Sequence, residues 1–462
     1  MIYRGTMSIR TAMAIVVAGM AWLPPAAAAA QAGDDPYRLA LAAGYRAAFT
    51  CSATFDAGRT EDRIEADELT RVYDELRAPI AEMRAEIDRD ARTVAVTFDE
   101  AQPPRIAAWR PRLGCTQLPI GAPTNAIADL PLVDMPGRPD ADPLPVALSN
   151  DSRLVETMAR AFDTETYGAE TKTSAALVFA DGRIVAERYA QGIDADTPQR
   201  TWSVAKSIAG TVLGAAAQRG LIDLDAPVTI PEWQAAADPR QAITTDQLMR
   251  MASGLTSDFA GNRTDAIYLG GTSVADSAPG QSLLHPPGTR FRYANNDTLL
   301  ALYGLRHGMA DDAAYRALPF QALLDPLGMN RTFLETDWRG DFIMSSQVWT
   351  TARDLVRLGR LYLNDGIHEG ERLLPDGFVE RVSTPSGPQP DRPWGYGGTF
   401  WTAGPETGLP PGTFAAFGNR GQYLVIVPSR DILIVRRGYD PVGENKRFDV
   451  TAFARDVLAA LD

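Results

Sequence analysis

Hydrophobic spacing along the chain switches between two periods, and the switches mark out its elements. Ala175–Phe179 and Ile184–Tyr189 are short apolar runs on either side of Asp181-Gly182, the pattern of a β-hairpin. Tyr423–Val427 and Ile432–Arg436 repeat it around Pro428-Ser429-Arg430-Asp431. Elsewhere the spacing is helical. Val204, Ile208, Val212, Leu213 and Ala216 share one face of a segment that opens at Ser203 and ends at Gly220. Ser152 to Asp163 and Val450–Leu461 are further helices, the second amphipathic. Hairpins near both ends with helices between them predict an α+β fold. It should hold a mostly antiparallel sheet flanked by helices, with a helical insertion.

Ahead of this region the pattern is different. Glu61 to Arg89 predicts helix, Thr93 to Phe98 alternates like a strand, and Pro103-Pro104 breaks it. Residues 33–120 are therefore expected to form a small α+β extension, and the Pro-, Asp-, Gly- and Ala-rich stretch 121–150 a linker. The main domain then spans 151–462. Residues 1–32 predict a cleaved export signal: Arg4 and Arg10, a short apolar run from Thr11 to Leu23, Pro24-Pro25 and an alanine tract. The run is too short to span a bilayer comfortably, and no other stretch is long and apolar enough, so a soluble protein outside the cytoplasm is expected.

Cys51 and Cys115 are the only two cysteines. In an exported chain such a pair reads as a disulfide, here one that closes the extension. A net charge of −13 argues against nucleic-acid or anionic-membrane partners.

Candidate chemistry centres on Thr201-Trp202-Ser203-Val204-Ala205-Lys206-Ser207. Positions three apart share a helical face, so the Ser203 hydroxyl and the Lys206 amine can meet. A lysine in apolar surroundings loses basicity and can take the serine proton. A helix N-terminus also offers free N–H groups to a developing negative charge. Downstream, Pro287-Gly288 turns the chain into Phe291-Arg292-Tyr293-Ala294-Asn295-Asn296-Asp297. Tyr293 and Asn295, two apart, point to one side. Tyr293 is a candidate proton shuttle with its pKa lowered by Lys206, and Asn295 a candidate to hold that lysine and a substrate carbonyl.

Ser203-x-x-Lys206, Tyr293-x-Asn295, Pro287-Gly288, Asp325-Pro326-Leu327-Gly328-Met329 and Gly421-Gln422 together resemble the serine β-lactamase and penicillin-recognising superfamily. Within it they are most similar to class C-like esterases and 6-aminohexanoate-dimer hydrolases, over about residues 170–440. The resemblance implies Ser203 as acylated nucleophile, Lys206 as its general base or base-assisting partner, Tyr293 as a second proton-transfer group and Asn295 as a positioning amide. It also implies a serine hydrolase of small esters, linear amides or peptides that needs no metal or organic cofactor. The family's third motif, Lys-Thr-Gly or His-Thr-Gly, is replaced by Phe417-Gly418-Asn419-Arg420-Gly421-Gln422. The Gly418-Asn419 backbone is then the expected oxyanion site, with the Asn419 and Ser203 N–H groups as donors. Arg420 is a candidate anion binder. Trp349, Tyr396, Trp401, Tyr268 and Asp265 are candidate pocket residues. A Ser-His-Asp triad would need His285, His307 or His368, all in turn-like contexts. A D,D-peptidase or β-lactamase is the alternative activity, and a non-catalytic binding module on the same fold a third.

Overall fold

A computed structural model of the chain describes residues 35–139, 142–256, 264–442 and 447–462. The predicted export signal, 1–32, lies outside the described residues. Residues 37–462 form one compact unit.

At its centre is a seven-stranded antiparallel sheet. Its strands are β5 (Thr173–Ala180), β6 (Arg183–Tyr189), β10 (Trp394–Tyr396), β11 (Trp401–Ala403), β12 (Phe414–Gly418), β13 (Gln422–Val427) and β14 (Ile432–Gly438), in the order β10-β11-β12-β13-β14-β5-β6. Both predicted hairpins lie in it, and the chain's two ends of the domain meet where β14 pairs with β5. Alternate residues face opposite ways, as strand geometry requires. Leu177, Phe179, Leu424, Ile426, Leu433 and Val435 join one core with helices α5 (Val204–Gln218) and α8 (Ala352–Leu363). Ala176, Val178, Val425, Val427, Ile432 and Ile434 join another with α4 (Ser152–Arg160) and α9 (Val450–Leu461). Burial on both faces is why these strands read as unbroken apolar runs.

Between the hairpins lie α6 (Thr245–Met249), α7 (Asn295–Gly308) and a small sheet in the order β7 (Gln199–Arg200), β9 (Val348–Thr350), β8 (Phe333–Leu334). A reciprocal capping box starts α6: Thr244 accepts from the Gln247 N–H while Gln247 accepts from the Thr244 N–H. The architecture is the α+β arrangement expected from the sequence.

The N-terminal segment contains α1 (Pro36–Phe55), α2 (Glu61–Asp67), α3 (Asp74–Glu82) and a sheet β1–β4 (Ala85–Asp88, Thr93–Val96, Arg105–Arg110, Gly114–Gln117). A continuous helix from Glu61 to Arg89 does not form. The chain leaves helix after Asp67, passes Arg71 at φ +56°, and re-enters it at Asp74. The carbonyls of Asp67, Glu68 and Thr70 accept from the Arg420 guanidinium at 2.8, 3.3 and 3.1 Å. These bonds outweigh the local helical preference. Ala85–Asp88 instead pairs with Thr93–Val96 as a hairpin. After 120 the chain makes a 3-10 turn over Thr124–Asp129, buries Leu130 and Leu144, and at Val146 pairs with Ile184 at the β6 edge.

Cys51 on α1 and Cys115 on β4 are bonded, closing 64 residues. Removing a native cross-link over a loop of this size costs about 2–5 kcal/mol. A Cys51→Ala, Cys115→Ala protein should therefore melt several degrees below the oxidised parent. Reductant should shift the parent's thermal transition the same way and leave the variant's in place.

Candidate active site

β7 delivers the chain to the site. After it the Thr201 N–H donates to Val348 O at 2.8 Å, Trp202 turns with φ +49°, and Ser203 opens α5. A positive φ is strained for a bulky residue and needs surrounding structure to hold it. Arg200 supplies part of that support, its guanidinium carbon 4.2 Å from the Trp202 ring and 4.2 Å from the Phe49 ring of α1.

Lys206 lies one turn into α5 and is 1% exposed. Its Nζ donates to Asn295 Oδ1 at 2.7 Å, Ser345 O at 2.8 Å and Ser203 Oγ at 3.2 Å. Helical spacing brings Ser203, the start of α7 brings Asn295, and the loop before β9 brings Ser345. An amine so held is desolvated, oriented and within proton-transfer reach of a hydroxyl. Asn295 gives an amide hydrogen to Thr264 Oγ1 at 3.1 Å, which fixes which end faces the lysine.

Tyr293 closes the other side. The Ser203 hydroxyl is near enough to its phenol to lower the phenol's pKa, and the Lys206 Nζ lies 5.0 Å from its ring centroid. Tyr396 meets it edge-on at 5.9 Å and Trp401 tilts against it at 5.4 Å. The expectation that Lys206 lowers the Tyr293 pKa is reversed. Burial pushes the phenol up to about 12, opposed by the Ser203 hydroxyl and by Arg392 and Arg447. Lys206 approaches the ring face and directs its donors elsewhere. Tyr293 is therefore a phenol, a proton donor, at neutral pH.

The end of β12 lies beside Ser203. A Cβ on Gly418 would stand 2.3 Å from Thr201 O and 3.2 Å from Ser203 N, so only glycine allows this approach. Among the described residues, neither the Ser203 nor the Asn419 N–H has a backbone acceptor. Two adjacent N–H groups without partners beside a hydroxyl can stabilise an oxyanion. Arg420 is not an anion binder here. It sits at φ +56°, is buried, and its guanidinium bonds the carbonyls of Asp67, Glu68, Thr70 and Asp440.

These groups open into a cavity of about 480 Å³. Ser203, Tyr293, Asn295, Gly418 and Asn419 line it, as do Trp401, Tyr268 and Asp265. Trp349 is buried in β9 and Tyr396 supports Tyr293 from behind, so neither is in the wall. None of the three histidines lines it. Sequence reasoning missed Tyr45 and Tyr73, from the N-terminal segment, and Arg392, Phe417 and Arg447. No spacing signal joins these residues to Ser203; only the docking of separate segments does.

A hydroxyl, a buried amine, a phenol and two N–H groups thus lie together at one end of a cavity on an α+β scaffold. The chain belongs to the Beta-lactamase family, whose model matches residues 158–438. A 6-aminohexanoate-dimer hydrolase of Paenarthrobacter ureafaciens is 28% identical over 340 residues, covering 67% of this chain and 84% of that protein. In fold, the chain is similar to a Bacillus anthracis protein provisionally named a 6-aminohexanoate-dimer hydrolase. That match has a TM-score of 0.57 at 22% identity and covers 70% of this chain and 88% of the other. It is also similar to a D-alanine carboxypeptidase of Burkholderia cenocepacia, with a TM-score of 0.50 at 20% identity over 67% of this chain and all of that one.

Asp297, in the first turn of α7, makes the site's scaffold sensitive to pH. It is buried, accepts from Ser253 Oγ at 2.9 Å, and burial raises its pKa from 3.8 to about 7. A folded pKa above the unfolded one means that the native state holds the proton more tightly. Stability from this group is thus full below about pH 4 and is lost as pH rises through about 7. Asp297→Asn should flatten the loss. In urea titrations from pH 4 to pH 8, the variant should gain on the parent by up to about 4 kcal/mol. Parallel pH profiles for the two proteins would refute the assignment.

Proposed function

We propose that this protein is an exported hydrolase that cleaves a carboxylic ester or linear amide through an acyl-enzyme on Ser203. The observation that carries the reading is the Lys206 Nζ, buried and 3.2 Å from Ser203 Oγ. In its amine form Lys206 accepts the Ser203 proton as Oγ attacks the carbonyl carbon. The oxyanion forms against the Ser203 and Asn419 N–H groups. The C–O or C–N bond then breaks as the Tyr293 phenol gives its proton to the departing alkoxide or amine, and the proton held on Lys206 returns to the phenol. Water enters, gives a proton to the same base, and releases the acid and free Ser203. The sequence pattern of an export signal at 1–32 and the Cys51–Cys115 bond support an oxidising location outside the cytoplasm.

A second reading is D,D-peptidase or β-lactamase activity. Arg392 and Arg447 favour it: both are exposed, line the cavity, and have no ion-pair partner among the described residues. They would offer a substrate carboxylate the cationic contact that the missing third-motif lysine supplies in the penicillin-recognising enzymes.

Intact-protein mass after brief exposure to an activated ester, a linear amide and a penicillin separates the two. A transient acyl adduct or turnover with ester or amide is expected, absent in Ser203→Ala. Lys206→Ala should lose about 10³-fold or more in kcat/KM. A lasting adduct with penicillin alone would select the second reading. Full rate in Lys206→Ala would remove the Ser-Lys mechanism.

A further inference from the structure

The N-terminal segment lies outside the part of the chain that the family model matches, yet it reaches the cavity. Tyr45 of α1 and Tyr73, just before α3, both line it. Tyr45 is held rigidly: its ring stacks on Phe49 at 3.9 Å, and its hydroxyl donates to Glu68 O at 3.4 Å. Phe49 packs in turn on Trp202, the residue before Ser203, at 5.8 Å. The segment thus contributes aromatic side chains to the cavity lining, with the Tyr45 hydroxyl bonded back to its own segment.

Its docking is built in detail. The Arg420 guanidinium clamps three carbonyls of residues 67–70, and the Val442 N–H donates to Arg71 O at 3.1 Å. Arg59 Nη1 donates to Tyr439 OH at 2.7 Å. On the far side, a Cβ on Gly44 would stand 2.0 Å from Leu269 O, so α1 meets the helical insertion backbone to backbone. Such an interface holds residues 67–71, two before Tyr73, against the turn that carries Asn419.

We propose that this segment is an integral wall of the substrate pocket, and that Tyr73 is a specificity residue selecting a flat apolar acyl group. The inference rests on the hydrolase reading for its substrate. The leaving group must face Tyr293, whose ring neighbours are Tyr396 and Trp401. Tyr45 joins instead, through Phe49, the group around Trp202 and Arg200, and Tyr73 lines the cavity together with Tyr45, Arg200 and Trp202. What they meet is the acyl side of the scissile bond, where ring faces reward an aromatic or extended apolar group.

The test holds the leaving group constant and varies the acyl group, comparing 4-nitrophenyl benzoate with 4-nitrophenyl acetate. Tyr73→Ala should lower the benzoate-to-acetate ratio of kcat/KM about tenfold, mostly through KM, and Tyr73→Phe should keep it. A ratio unchanged within about twofold, or equal losses on both esters with a lowered melting temperature, overturns the proposal. A second arm measures Kd of the two esters on Ser203→Ala protein, with and without Tyr73→Ala. If the parent forms no acyl adduct and turns over neither ester, the hydrolase reading falls. The Kd ratio then still decides the wall: loss of benzoate preference in the double variant supports it, and no preference in either protein overturns it.

Discussion

A buried amine needs partners, and the site is organised around meeting that need for Lys206. Removing an ammonium or amine from water is costly unless its donors are satisfied. The three acceptors here come from Ser203, Asn295 and Ser345, which are 3, 89 and 139 residues away in sequence. Each is therefore positioned by a different element, and the domain must be folded before all three are present. The same contacts that satisfy Lys206 aim it at Ser203. Tyr268, whose hydroxyl lies 2.5 Å from Ser345 Oγ, extends the network into the helical insertion. Local loosening of that insertion would be felt at the amine.

A layer of buried guanidinium groups supports this arrangement from beneath. Arg437 is fully buried, and burial lowers its pKa to about 10. It donates to Gln422 Oε1, Thr350 O and Gln199 O, each at 2.7 Å. One side chain thus ties the large sheet to the small one, just where β7 leads into Trp202 and Ser203. Arg436 bonds Asp440, Thr173 and Gly421 O, and so braces the turn after β12. Planar, multiply donating guanidinium groups suit this task because one can satisfy several carbonyls at fixed angles. Arg420 completes the layer and joins it to the N-terminal segment. The residue that sequence placed as a possible substrate contact is a structural clamp.

Much of the molecule was legible in the sequence because the signals are local. The hairpins around Asp181-Gly182 and Pro428–Asp431 depend on turn chemistry and on strands buried on both faces. Ser203 and Lys206 depend only on helical spacing. Tyr293 and Asn295 flank one helix start. The Cys51–Cys115 pair was readable by elimination in a chain with two cysteines.

The tertiary structure decided what no local pattern encodes. The helix expected from Glu61 to Arg89 breaks because Arg420, some 350 residues away, competes for its carbonyls. The Tyr293 pKa rises because desolvation by the surrounding wall exceeds any nearby positive charge. Tyr45 and Tyr73 become cavity residues only through docking of the N-terminal segment. Sequence by itself determined the fold class and the residues within one turn or one hairpin of each other, since backbone geometry brings those together in any context. Which distant segments share a dielectric environment, and which donors are already spent, depends on packing, and only the folded chain sets it.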